Sequence, residues 1–170
     1  VQETLKLVGA EGLMLTNHTA GLALPGMMVD LGGIAKGYAV DQAYDRLVRS
    51  GAENLMINLG GNIRCGGAGR PPDGAWRVAV RNPFEREASL GTLMLRDGWA
   101  VATSGHYENF FELQGERYTH IIDPRSGYPV RGMAGVTVVC RSATQADALS
   151  TGLFVAGMDA AGDILKQVPD

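Results

Sequence analysis

Apolar positions recur at helical spacing over 36–49, where Val40, Ala43, Tyr44, Leu47 and Val48 fall on one side and Gly51 sits where a C-terminal cap belongs. A second helix is predicted over 143–155. Ala146, Ala148, Leu149, Leu153, Phe154 and Val155 make it apolar on most faces, Ser142 can cap it with Gln145 three residues on, and Gly157 lies at its far end. Shorter helices are expected over 1–8, closed by Gly9, and over 159–167. Strand patterns fall at 13–15, 54–59, 76–80, 90–95, 99–103, 110–113, 117–122 and 136–140, with the 54–59 run reading as buried. Residues 21–26 read as loop and Val29-Asp30-Leu31 as a strand end. Arg96-Asp97-Gly98 predicts a hairpin between the strands on either side of it, and Gln114-Gly115-Glu116 predicts another. Asp123-Pro124-Arg125-Ser126-Gly127 is a tight turn in which Asp123 can anchor its own backbone. Strands outnumber helices, so the expected class is α+β, a largely antiparallel sheet with helices packed on one face, as a single domain over 1–170.

Composition narrows the function classes. A net charge of −3 points neither to nucleic acid nor to an anionic membrane surface. No apolar run reaches the ~18 residues of a membrane span, and no signal peptide is visible. The chain begins at Val1, inside what reads as the end of a helix, so the expectation is a piece of a longer protein. Twenty-four glycines are about double the usual ~7% share and suit tight turns and close backbone approaches. Cys65 and Cys140 have no metal-ligand spacing; they are read as two free thiols, with pairing in an oxidising compartment as the alternative.

The chemistry concentrates in a few stretches. Asp30-Leu31-Gly32-Gly33-Ile34-Ala35-Lys36-Gly37 places an acid, paired glycines and a lysine where a helix begins. The helix N–H groups and Lys36 suit a phosphate-bearing ligand, and Asp30 is left for a hydroxyl, an amine or a metal-bound water. It equally fits a structural turn. It is neither a P-loop, since Gly37 follows Lys36, nor a dinucleotide fingerprint, since glycines 32, 33 and 37 have the wrong spacing. Asp147 and Thr151, four apart on the late helix, share a face and offer two hard oxygens of the kind Mg²⁺ takes. A solvated acid with a helix Thr bonded to the previous turn is the plainer alternative, although an acid amid so many apolar residues needs a partner. His120, three residues before Asp123, is a candidate acid/base or a structural hydrogen-bonding residue. Ala102-Thr103-Ser104-Gly105 offers hydroxyls suited to a sugar or base edge, and no G-x-S-x-G elbow is present. Asn58-Leu59-Gly60-Gly61-Asn62 either crowds a ligand or only turns.

Four blocks occur together and in order: Asp30 to Ala39, Asn58 to Asn62, Ala102 to Gly105 with His120-Ile121-Ile122-Asp123-Pro124, and Ala146-Asp147-Ala148-Leu149-Ser150-Thr151. In this the chain resembles the ApbE family of FAD:protein FMN transferases, roughly the C-terminal half of the family's length, with the N-terminal half absent. The resemblance implies Mg²⁺-dependent cleavage of FAD, transfer of FMN to a Thr or Ser of a target protein, and release of AMP. It implies a metal held by Asp147, Thr151 and the backbone carbonyl of Gly33. Flavin contacts fall at Asp30, Lys36 and Ile121, to which the hydroxyl reading adds Ser104, and His120 with Asp147 carries catalysis. Its acceptors are membrane or periplasmic redox proteins, and its location is the periplasm or the inner membrane as a lipoprotein. A second copy of the chain is kept open as a partner. A Mg²⁺-dependent FAD pyrophosphatase would use the same site, and a flavin-binding module would leave the metal site silent.

Overall fold

The computed structural model describes residues 1–70, 72–85, 87–107 and 110–168. Its centre is a four-stranded antiparallel sheet in the order β12-β7-β4-β3, formed by Gly135–Cys140, Ala100–Gly105, Asn62–Gly66 and Leu55–Leu59 respectively. Helices α2 (Ala35–Arg49) and α3 (Ala143–Ala156) cover one face. The hairpin of β5 (Trp76–Arg81) and β6 (Ser89–Leu95) covers the other. The expected α+β class with helices on one face is the one observed.

Alternation along the strands makes the two layers. Ile63, Cys65 and Val101 point to the hairpin side and pack with Leu95, Trp76, Val78 and Trp99. Ala100 points to the helix side, against Val40 and Ala143 with Ile57 beside them. Ala100, Ala102, Ala143 and Ala146 are fully buried. Small residues on both surfaces let α3 lie close against β7, and this close approach brings polar groups of the two elements within bonding distance.

The remaining elements are α1 (Gln2–Leu5), the antiparallel pair β1 (Leu13–Leu15) and β2 (Ala20–Leu22), the hairpin β8 (Phe110–Leu113) and β9 (Glu116–Thr119), the short pair β10 (Ile122–Asp123) and β11 (Tyr128–Pro129), and α4 (Met158–Leu165). The β8–β9 turn is as predicted, with Gln114 and Gly115 both at positive φ, 54° and 78°. Ser142 caps α3 as expected, its Oγ accepting from the Gln145 N–H.

Several expectations are corrected. The first helix is only one turn, followed by a 3₁₀ turn at Ala10–Gly12. Part of the expected 21–26 loop is β2. Residues 29–31 form no strand: Asp30 Oδ1 accepts from the Gly32 N–H (2.7 Å), and the Leu31 carbonyl accepts from Ile34 and Ala35, which closes a turn. The strand expected over 117–122 ends at Thr119. The run at 54–59 is half exposed, whereas β4, which carries too few apolar residues to register as a strand, is the buried one. Strands β6 and β7 are not a hairpin. The Arg96-Asp97-Gly98 turn exists, but it docks on β4, with Gly98 N–H donating to the Cys65 carbonyl and Cys65 N–H to the Trp99 carbonyl. The chain therefore crosses there from the outer hairpin into the central sheet.

Candidate functional site

Each half of the site is built by local sequence. In the first, Gly60 and Gly61 (φ 58° and 92°) turn β3 into β4, and Asn58 Oδ1 holds the Gly61 N–H at 2.9 Å. The tip of this hairpin lies against the Lys36 stem; a Cβ on Gly60 would sit 3.6 Å from its Cδ. The Asn58 to Asn62 block is thus a turn that supports Lys36. In the second half, Gly37 lets α2 and α3 meet. A Cβ there would overlap the Ala143 carbonyl oxygen and come within 2.7 Å of the Asp147 Cβ. Through that gap the Gly37 N–H donates to Asp147 Oδ2 at 2.8 Å.

Asp147 is 4% exposed, so its partner matters. The Gly37 N–H engages one carboxylate oxygen; Oδ1 receives no hydrogen bond from the described residues. Gly33 stands over Thr151, where an added Cβ would lie 3.4 Å from Thr151 Oγ1. Thr151 Oγ1 is 3.0 Å from Ser104 Oγ, Ser104 Oγ is 2.9 Å from Ser150 Oγ, and Ser150 donates to the Asp147 carbonyl at 3.0 Å. Since Ser150 donates to that carbonyl, its oxygen is left as acceptor. The consistent order runs Thr151 to Ser104 to Ser150 to Asp147. This order directs the Thr151 proton inward and leaves its lone pairs for the cavity.

That cavity, about 470 Å³, is lined by Asp30, Gly33, Lys36, Ser104, His120, Ile121, Asp147 and Thr151 among others. The residues that the resemblance assigns to metal, flavin and catalysis, together with Ser104, all line this one space, whereas the Asn58 to Asn62 block and Asp123 do not. Two details differ from expectation. The Ser104 hydroxyl is engaged by Ser150 and Thr151, so it orders the site where a ligand contact was expected. Two of the N–H groups at the start of α2 are also engaged, Ala35 by the Leu31 carbonyl and Gly37 by Asp147.

Asp41 escaped the sequence reading. This carboxylate on α2 accepts from Arg64 Nη1 (2.7 Å), Ser142 Oγ (2.7 Å), Thr144 Oγ1 (2.7 Å) and the N–H groups of Ala143 and Thr144 (both 2.9 Å). Burial works against its charge, but the bonds from Thr144, Ser142 and Ala143 outweigh it and hold the carboxyl below its ordinary range. It joins α2 to the start of α3 one turn from the Gly37–Asp147 bond. An acid four residues beyond Gly37 was the available signal, but nothing local named its partner.

The donor set suits a hard divalent cation: one carboxylate, one hydroxyl and a backbone turn. Among the described residues no cluster of three or more His, Cys, Asp or Glu could hold a metal. A cation here would need oxygens from its ligand to complete its shell, and Lys36, which lines the same cavity, favours an anionic one.

The ApbE family model matches residues 1–170. The chain belongs to the ApbE family. Among its relatives are the FAD:protein FMN transferases of Vibrio cholerae, 42% identical over 153 residues (89% of this chain, 45% of that protein), and of Haemophilus influenzae, 38% identical over 154 residues (88% and 43%). Similar solved structures are the ApbE protein of Thermotoga maritima (TM-score 0.82, 37% identity, 97% of this chain and 52% of that one) and the flavin transferase ApbE of Vibrio cholerae (0.83, 37%, 96% and 52%). The chain spans about half the length of these relatives.

Proposed function

We propose that the protein carrying this chain is a Mg²⁺-dependent FAD:protein FMN transferase, which moves FMN from FAD to a Thr or Ser hydroxyl of a target redox protein and releases AMP. The observation that carries this reading is the convergence of Asp147, Thr151, Gly33, Lys36 and His120 on one cavity in an ApbE-family chain. The names of its relatives supply FAD and a protein acceptor.

In the reaction the acceptor oxygen attacks the phosphorus on the flavin side of the diphosphate. A phosphoester bond forms, the bond to the bridging oxygen breaks, and AMP leaves with that electron pair. His120 accepts the hydroxyl proton. Lys36 opposes charge building on the phosphoryl oxygens, and Asp30 is placed to orient a polar group of the nucleotide. Asp147, Thr151 and the Gly33 carbonyl would hold Mg²⁺, which when bound supplies neutralisation of the diphosphate oxygens. An acceptor in a membrane or periplasmic redox complex would put the protein in the periplasm or on the inner membrane.

The test is incubation of the intact protein with FAD, Mg²⁺ and a Thr-containing acceptor, read by mass spectrometry for bound FMN and by chromatography for AMP. Asp147→Ala should abolish both products. AMP and free FMN without an adduct would make the protein a pyrophosphatase, and full turnover by Asp147→Ala at ordinary Mg²⁺ would refute the metal assignment.

A further inference from the structure

A threonine inside a helix ordinarily returns its hydroxyl proton to the carbonyl one turn back. For Thr151 that carbonyl belongs to Asp147, and Ser150 Oγ already donates to it at 3.0 Å. Among the described residues the Thr151 hydroxyl bonds instead to Ser104 Oγ, 3.0 Å away across the gap between α3 and β7. Ser104 Oγ in turn meets Ser150 Oγ at 2.9 Å. Ser104 follows Ala100 and Ala102 at alternate positions of β7, so all three lie on the helix side of the sheet. The contact is shielded from water, with Ser150 fully buried and Ser104 only 9% exposed. The chain of hydroxyls therefore begins at one residue that offers an oxygen to the cavity and ends on the main chain of the other. Ser104 is its one member outside α3.

We propose that Ser104 is a positioning residue for cation binding: by accepting the Thr151 proton it draws that hydroxyl off its own helix and keeps its lone pairs free for a metal. The proposal rests on the transferase reading, which gives the metal to Asp147 and Thr151, and adds what makes Thr151 usable as a ligand. A hydroxyl coordinates a cation through its oxygen, so its proton has to point away and needs an acceptor there. Ser104 is that acceptor. Its own proton is committed to Ser150, because Ser150 has spent its proton on the Asp147 carbonyl. Ser150 thus fixes the direction of the chain, and neither serine has a proton left for the ligand. Without Ser104 the Thr151 proton would turn back to the Asp147 carbonyl or out toward the cavity, and the second orientation opposes a cation directly.

The experiment titrates the intact protein with MgCl₂ by calorimetry, and in parallel measures the Mg²⁺ concentration that gives half-maximal AMP release from FAD. FAD affinity without metal is read by flavin fluorescence in EDTA, and folding by urea unfolding. Ser104→Ala should weaken Mg²⁺ binding by about tenfold or more and raise the Mg²⁺ requirement in step. FAD affinity in EDTA should stay at the wild-type level. Ser150→Ala, which removes the acceptor of the Ser104 proton, should give a smaller loss of the same kind. A double-mutant cycle separates positioning from general loosening of the site: in a Thr151→Ala background, Ser104→Ala should produce no further loss of Mg²⁺ affinity. Wild-type Mg²⁺ affinity in Ser104→Ala overturns the proposal, as does a loss that adds in full to that of Thr151→Ala. A fall in FAD affinity in EDTA with Mg²⁺ binding unchanged would make Ser104 a ligand contact instead. Failure of the transferase reading looks different: a wild-type protein that binds Mg²⁺ yet leaves FAD uncleaved refutes that reading, while the calorimetric comparison still decides the role of Ser104.

Discussion

Gly33 and Gly37 sit four residues apart and differ in what a methyl group would do. At Gly37 a Cβ would meet the Ala143 carbonyl and the Asp147 Cβ, both on the helix backbone side, so the two helices would have to separate. Gly37→Ala should therefore cost roughly 1–3 kcal/mol by urea unfolding, as overpacking does. At Gly33 the nearest atoms to the Cβ would be those of the Thr151 side chain, at 3.3 to 3.5 Å. Gly33→Ala should unfold within about 1 kcal/mol of wild type yet weaken Mg²⁺ binding, measured by calorimetry, because it crowds the hydroxyl. The cysteines make a separate prediction. Burial pushes the Cys65 thiol up to about 11 and raises Cys140 as well. Both are free, and they point to opposite faces of the sheet, Cys65 into the hairpin layer and Cys140 toward the start of α3. Alkylation of the folded protein near pH 8 should be slow, slowest at Cys65, and both should react once unfolded. A disulfide found by mass spectrometry of the native chain would contradict this.

At the scale of elements, the fixed relation is between α2 and α3. Two carboxylates cross-brace them in opposite senses: Asp147 of α3 receives a backbone N–H of α2, and Asp41 of α2 receives the N-terminal N–H groups of α3. Anionic charge at the start of α3 also meets the positive end of that helix. Removing Asp41 takes away the cap and leaves Arg64 without its nearest carboxylate, so Asp41→Asn should cost roughly 2–4 kcal/mol. The sign of the pH effect follows from the lowered carboxyl. Its folded value lies below the ordinary 3.8, so the unfolded chain binds the proton first. The stabilisation is complete above the ordinary carboxylate range and is lost as pH falls through the depressed folded value. Urea titrations from pH 7 to pH 3 should show a steep acid limb in wild type and a flatter one in Asp41→Asn.

For the whole molecule, ligand linkage offers the simplest check. If the cavity takes FAD with Mg²⁺, the two together should raise the melting temperature of the intact protein, with little rise for Asp147→Ala. Identical shifts in the two proteins would count against Asp147 as a ligand. Among the described residues no helix is long and apolar enough to cross a membrane. Met28, Val29 and Leu31 stand exposed around the glycine turn, at 90, 56 and 58%. Val29 and Leu31 are the apolar residues whose pattern resembled a strand end. Their hydrophobicity carries no information about the Asp30 and Leu31 turn bonds that set the local backbone.

Local rules were enough for the helices at 36–49 and 143–155, for the Ser142 cap, for the Gln114-Gly115 turn and for the residue types of the site. Each depends on neighbours a few positions away, and periodicity and turn chemistry record such neighbours directly. Pairing partners were another matter. Only folding decided that β6 joins β5 and β7 joins β4 and β12, that β4 is the buried strand, and that Asp41 finds α3 about a hundred residues later. The same holds for Ser104 and Ser150, whose hydroxyls meet because alanines on β7 and α3 let the two elements close. Long-range register is set by which surfaces pack best once the chain is compact, and no window along the chain contains that information.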